Sequence, residues 1–287
     1  MTAQRIRAAF ESPGLALAMM PGFNDADAVE LIGLGGYDAV FIDMEHSTTD
    51  FGMAAEMIAR ADLAGISSLI RVPSNDAKTI LRLLDAGADG IFVPHIKSAD
   101  DARQAVAAVR YPPLGIRGAV SSSRAARFGT VSWPEHVARS NREIVLGVML
   151  EDITVVDQVE EIAAVDGLDL VFVGPFDLAT SMGVLEGNSP KVRDLVHSIA
   201  RRVRKVGKAK FGFVLNHRAM TMDIPELLEL GTSFALCLPS PTARLVAGFR
   251  DQVGAARAAM AGRDGTAVQR VGVTDPANAK SRPTVRT

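Results

Sequence analysis

The residues able to do chemistry are concentrated where apolar runs stop. Phe41-Ile42-Asp43-Met44-Glu45-His46-Ser47 closes an apolar run from Tyr37 with two carboxylates and an imidazole. Glu151 and Asp177 each follow a run of the same kind, Val145–Leu150 and Leu170–Val173. Two carboxylates converging on one point repel unless a cation lies between them. Ligands that are all oxygen favour a hard ion, Mg²⁺ or Mn²⁺, with water and substrate oxygens in the remaining positions. As plain structure, both acids would be solvated groups at helix starts, where the dipole favours them. Arg71 ends another buried run, Ser67–Val72, and requires a charge partner. It either pairs with Asp43 or Glu45 or stabilises an oxyanion on a substrate carbonyl. His46 has the chemistry of a general base beside such a carbonyl compound. His95, after the fourth run, is a second candidate for that role. His136 and His197 read as solvent-facing helix residues, and Asp85 reads as a turn cap or surface acid.

These groups can meet only if the runs are neighbouring strands. The chain alternates apolar runs with amphipathic stretches eight times. The runs are Leu15–Met20, Tyr37–Asp43, Ser67–Val72, Gly90–Pro94, Ile144–Leu150, Leu168–Val173, Ala209–Leu215 and Ser233–Leu238. Helices are expected over Asp25–Gly35, Phe51–Ala64, Asp76–Ala86, Ala99–Val109, Val155–Ala164, Lys191–Val206, Met222–Leu230 and Thr242–Ala261. Gly65, Gly87 and Gly231 follow three of them as stop signals. Eight strand–helix units predict an α/β fold, a (β/α)8 TIM barrel. A doubly wound open sheet would prefer a glycine-rich first turn, whereas Pro21-Gly22-Phe23-Asn24 is not one. In a barrel the active site lies at the C-terminal strand ends, where Asp43, Glu45, His46, Arg71, His95, Glu151 and Asp177 fall. Residues 111–143 interrupt the rhythm with Pro112, Pro113, Gly115, Gly118 and Trp133-Pro134, a loop long enough to suggest function. Two helical turns are expected within it, near Ser123–Phe128 and Pro134–Arg142. Residues 1–262 are read as one barrel domain and 263–287 as a mobile polar tail.

The bulk numbers exclude other classes. With 287 residues and a net charge of −2, the chain has no basic excess for nucleic acid or a membrane surface. No apolar run is long enough to cross a bilayer. The single Cys237 excludes an internal disulfide framework and fits a cytoplasmic location. No signal peptide is evident after Met1. The loops after strands 7 and 8 lack the glycines of common phosphate sites, so a carboxylate substrate is expected over a sugar phosphate.

Taken together, Phe41–His46, Arg71-Val72-Pro73, Leu84–Gly87, Tyr111–Gly118, Glu151 and Gly174-Pro175-Phe176-Asp177 resemble the HpcH/HpaI aldolase family. The resemblance runs from about residue 10 to about 260 and points to its class II pyruvate aldolases. It implies a divalent cation (Mg²⁺ or Mn²⁺, with Co²⁺ or Zn²⁺ as further candidates) held by Glu151 and Asp177. It implies His46 as base, Arg71 as stabiliser of an enolate oxygen, and Asp85 as the group that raises the histidine's basicity. Met149, Gly174, Pro175 and Phe176 would line the substrate, with the Phe176 amide on the pyruvyl carboxylate. The partners implied are 2-oxo acid and aldehyde substrates. The resemblance also implies a hexamer whose last helix packs on a neighbour, and a setting in aromatic-compound catabolism. The activity implied is reversible cleavage of 4-hydroxy-2-oxo acids to pyruvate and an aldehyde. Oxaloacetate decarboxylation and citrate-forming condensation are the alternatives within the family; a non-catalytic acid-binding barrel is the alternative outside it. Two positions depart from the family pattern: Met149 stands where glutamine is common, and Arg117-Gly118-Ala119-Val120 replaces the commoner Arg-Gly-Val-Gly.

Overall fold

A computed structural model describes residues 3–11 and 14–261 of the chain. The eight strands are β1 (Ala16–Met19), β2 (Ala39–Asp43), β3 (Ser67–Arg71), β4 (Gly90–Val93), β5 (Val145–Leu150), β6 (Leu170–Val173), β7 (Lys210–Leu215) and β8 (Thr232–Cys237). They pair in sequence order, all parallel, and β8 closes on β1, so the expected (β/α)8 barrel is the fold observed. The described residues divide into two compact units, one through Ala243 and one from Arg244 onward. The expected tail, residues 263–287, lies outside the described residues.

Strand alternation sorts the core into two sets. Ala39, Phe41, Leu69, Phe92, Met149, Leu170, Phe172 and Phe234 fill the barrel interior. Val40, Ile42, Ile70, Ile91, Val148, Val171 and Val173 face the outer helices. Interior phenylalanines meet edge to face, with Phe41 and Phe92 centroids 5.0 Å apart. Gly147 makes that packing possible, because a β-carbon there would lie 2.8 Å from the Phe92 ring. The parity has a consequence for the site. Asp43 shares the inward face of Ala39 and Phe41, Arg71 that of Leu69, Glu151 that of Met149, and Gly174 that of Phe172.

The helices begin and end for local reasons. In α3 (Phe51–Ala64) Asp50 accepts from the Met53 amide, and Gly65 at φ 73° terminates the helix. Asp76 caps α4 (Ala77–Ala86) through the Thr79 amide, and Ser98 caps α5 (Ala99–Val109) through the Asp101 amide. One helix was not legible: α1 (Ala3–Glu11) precedes the first strand, and its buried Ile6 and Phe10 join the barrel interior, Phe10 lying 6.0 Å from Phe234. The expected helix over Val155–Ala164 is a 3-10 turn, Ile153–Gln158, followed by α7 (Val159–Ala163). The long loop holds a 3-10 turn at Arg127–Gly129 and α6 (Trp133–Glu143). A further short helix, α8 (Pro175–Ser181), directly follows β6. The last helix, α11 (Pro241–Ala261), has no buried side chain. No helix among the described residues is long and apolar enough to cross a membrane.

Candidate active site

One cavity of about 430 Å³ opens at the C-terminal strand ends and is lined by His46, Arg71, Met149, Glu151, Gly174, Pro175, Phe176 and Asp177. Eight of the nine residues to which the family resemblance gives a role therefore line it. Asp85 does not line this cavity. It sits at the end of α4, where its carboxylate accepts from Arg117 Nη2 at 2.9 Å.

Arg71 is held rather than free. Its Nε and Nη2 donate to the two oxygens of Asp43 at 2.8 and 2.6 Å, and its Nη1 lies 3.3 Å from Glu45 Oε2. The Arg71 and Asp43 side chains are 11% and 5% exposed, so the fork is fixed in a largely dry setting. Burial opposes ionisation of Asp43. The two bonds and the charge of Arg71, with amide donation from Glu45 and His46, outweigh it and hold the carboxyl below its ordinary value. The structural and catalytic readings of Arg71 are thus compatible: the pairing fixes the guanidinium, and Arg71 lines the cavity.

Glu45 links the cluster. Its Oε1 lies 3.0 Å from His95 Nε2, and its Oε2 lies 3.7 Å from His46 Nε2. The sequence offered Glu45 as a charge partner for Arg71, which the 3.3 Å contact bears out; its contact with His95 was not expected, because that residue comes from the end of β4. His95 adopts φ 54°, a left-handed conformation uncommon outside glycine. From that position its amide donates to Glu151 Oε2 at 3.2 Å.

Glu151 is the most deeply placed acid of the cavity, its side chain 2% exposed. Burial pushes its carboxyl above the ordinary value, against the His95 amide and the Arg71 charge. Although Glu151 and Asp177 each follow an apolar run, which would set them at the same height on neighbouring strands, they stand at different heights. The β5–β6 register pairs Leu150 with Val173, which sets Glu151 level with Gly174. Asp177 lies three residues further on, in the first turn of α8, and reaches the same cavity from there. The chain leaves β6 straight into a helix, so the two acids approach from a strand end and from a helix.

Among the described residues no cluster of three or more His, Cys, Asp or Glu forms a metal cage. Glu151 and Asp177 are nevertheless a fitting donor pair for a hard cation. Burial disfavours the Glu151 charge, which a cation would favour, and two oxygen donors leave positions for water and substrate.

Two further residues border the cavity from the loop after β7. Arg218 lies 5.2 Å over the Phe176 ring, and His217 accepts from the Ala219 amide at Nδ1, 3.0 Å away. Burial and the Arg218 charge depress the His217 pKa. The signal in sequence was Asn216-His217-Arg218 directly after an apolar run, with Asn216 at φ 59° turning the chain. His136 corrects an expectation. It is buried rather than solvent-facing, its Nε2 lying 3.2 Å from the Tyr111 hydroxyl and its ring 5.4 Å from that of Trp133.

Comparison with known proteins shows the family of the chain. The family model described as HpcH/HpaI aldolase/citrate lyase matches residues 18–232. A 5-keto-4-deoxy-D-glucarate aldolase of Klebsiella pneumoniae is 41% identical over 208 residues, 72% of this chain and 79% of that protein. A hydroxypyruvate/pyruvate aldolase of Sagittula stellata is 37% identical over 204 residues, 71% of this chain and 80% of that protein. Among solved structures, an HpcH/HpaI aldolase from Desulfitobacterium hafniense superposes with a TM-score of 0.79 at 28% identity, covering 88% of this chain and 96% of the other. The citrate synthase SbnG superposes at 0.77 with 25% identity, covering 91% and 98%. The match spans β1 to the start of β8 and contains every residue of the cavity's charged cluster: the chain belongs to the HpcH/HpaI aldolase/citrate lyase family.

Proposed function

We propose that the protein is a divalent-metal-dependent aldolase that cleaves 4-hydroxy-2-oxo acids reversibly to pyruvate and an aldehyde. The observation that carries the reading is the convergence of Arg71, His46, Glu151 and Asp177 on one cavity. Glu151 and Asp177 would hold the cation, Mg²⁺ or Mn²⁺. When bound it supplies Lewis-acid polarisation of the 2-oxo group. Met149, Gly174, Pro175 and Phe176 form the wall against which the pyruvyl end lies. His46 takes the proton of the 4-hydroxyl group, and the C3–C4 bond breaks. The electron pair of that bond becomes the enolate of pyruvate, and the aldehyde leaves. Arg71, aimed by Asp43 and Glu45, balances the negative charge that develops on the oxygen. A proton delivered to C3 gives pyruvate.

The assembly proposed is a homo-oligomer, a hexamer by family resemblance. There Asp85 would act on His46 of a neighbouring copy, with Arg117 fixing its orientation. A second fate for the same enolate, condensation or formation from oxaloacetate, is supported by the likeness to the citrate synthase SbnG.

Pyruvate release from a panel of 4-hydroxy-2-oxo acids and oxaloacetate, with and without Mg²⁺ or Mn²⁺, tests the reading. Metal-dependent release from the hydroxy acids is expected. Full activity in EDTA with no bound metal overturns the metal requirement, and turnover of oxaloacetate alone overturns the aldolase assignment.

A further inference from the structure

A second cleft, of about 480 Å³, adjoins the cavity just described. Met20, His46 and Leu238 line both spaces, so His46 stands at the passage between them. The cleft sets uncharged polar groups, Asn24, Ser47, Thr48, Thr49, Ser240 and Thr242, beside apolar ones, Met20, Phe23 and Leu238. No lysine or arginine lines it. Its one carboxylate, Asp43, has both oxygens bonded to Arg71.

The polar groups form an ordered network. Thr49 Oγ1 donates to Asn24 Oδ1 at 2.6 Å, and Asn24 Nδ2 donates to Thr48 Oγ1 at 2.5 Å. On the other wall, Ser240 and Thr242 share one bond at 2.9 Å. Counting protons leaves donors over. Thr48 accepts in this network and retains its own O–H. Asn24 has a second amide hydrogen. Ser240 and Thr242 have two hydroxyl protons for one mutual bond. Thr49 is buried and anchors the Asn24 amide, so the network is held in place from below.

We propose that this cleft binds the aldehyde half of the substrate, as a neutral, hydroxylated chain. The inference rests on the aldolase reading above. If His46 takes the proton of the 4-hydroxyl group, carbon 4 lies at His46 and the chain beyond it continues away from the pyruvyl wall. The cleft is the space on that side. Hydroxyl groups of the chain meet donors and acceptors there, whereas a terminal carboxylate meets no cation in the cleft and an alkyl chain leaves the network unanswered. Arg218 borders the main cavity over Phe176 and does not line the cleft.

The test runs the reaction in the synthetic direction on the full-length enzyme with Mn²⁺ and pyruvate. Glyceraldehyde, propionaldehyde and succinic semialdehyde serve as hydroxylated, alkyl and acidic acceptors. The expected result is kcat/KM for glyceraldehyde about tenfold or more above either of the others. In Thr48→Val, and further in Asn24→Leu/Thr48→Val, the ratio of glyceraldehyde to propionaldehyde falls toward one, mainly through KM for glyceraldehyde. A preference for succinic semialdehyde that is lost in Arg218→Ala places the aldehyde against Arg218 instead and overturns the proposal. A ratio unchanged in both variants overturns it as well. Exchange of pyruvate methyl protons with deuterated water separates the two levels of the argument. Exchange without a glyceraldehyde preference sinks the cleft assignment alone; absence of exchange with metal present sinks the aldolase reading and this inference with it.

Discussion

A β-carbon placed on Gly174 would lie 2.6 Å from Oε1 of Glu151 and 2.8 Å from its Cγ. The glycine is in extended backbone, φ −85°, so its role is close approach rather than a special conformation. Glu151 is buried and cannot swing away without losing the His95 amide. Gly174→Ala is therefore expected to displace the carboxylate by a fraction of an ångström while leaving the barrel folded. A misplacement on that scale lowers kcat by up to about 100-fold. Mn²⁺ titration should show weakened binding, with an unchanged circular dichroism spectrum. Wild-type kcat and metal affinity in this variant would remove Glu151 from the proposed metal site.

Arg71→Lys separates charge from geometry. Lysine keeps the positive charge but cannot make the two-bonded fork to Asp43. We expect kcat to fall roughly 10²–10³-fold, the loss seen when a donor to a developing oxyanion is removed, with a smaller change in KM. A loss confined to KM would show that Arg71 binds the ground state and does not serve the enolate.

The barrel and its site were legible in the sequence to different depths. The eight apolar runs could be counted because parallel strands covered on both faces read as continuous apolar segments. Helix ends were marked by Gly65, Gly87 and Gly231, all at positive φ. The cavity residues were legible because strand ends carry chemistry in this fold, and that rule selects His46, Arg71 and Glu151 directly. What escaped was long-range. Ile6 and Phe10 of α1 look like surface-helix residues until the barrel interior supplies their partners. Glu45 was legible as a partner for Arg71, but not as a contact of His95 until β4 delivers that residue. The relative heights of Glu151 and Asp177 depended on where β6 stops and α8 starts, a boundary set by Pro175 at the first helical position.

Asp43 makes stability depend on acid. Its carboxyl is held below the ordinary value of 3.8 in the folded chain. A depressed carboxylate contributes stability that is complete above the unfolded value and is lost as pH falls through the folded one. Asp43→Asn leaves the Arg71 guanidinium buried with a poorer partner, and should cost about 3 kcal/mol at pH 7. Urea unfolding of both proteins should show that difference shrinking only below pH 3.8. A gap that stays constant down to pH 2.5 (on the order of the lowest pH at which folding is measurable) would show that the pair is not the source.

His136 ties the start of the long loop, at Tyr111, to α6 at its end. Its ring meets Tyr111 and Trp133, and Arg117 stacks 4.5 Å over the same Tyr111 while holding Asp85. Burial, with the charges of Arg117 and Arg139, depresses the His136 pKa below 6.5. A depressed imidazole binds its proton less readily folded than unfolded. The sign follows: stability is complete above the unfolded value and declines as pH falls below it, by at most about 1.4 kcal/mol per pH unit. Ring ¹⁵N shifts should report a neutral His136 from pH 8 down to about 6.5, the ordinary histidine value. Protonation should loosen the loop that carries Arg117, so Asp85 loses its fixed orientation before the barrel unfolds. Hydrogen exchange in residues 111–133 should therefore rise on acidification ahead of the strands. A His136 ring found charged at pH 7, or a loop that exchanges only in step with the strands, would remove this histidine from any part in bracing Asp85.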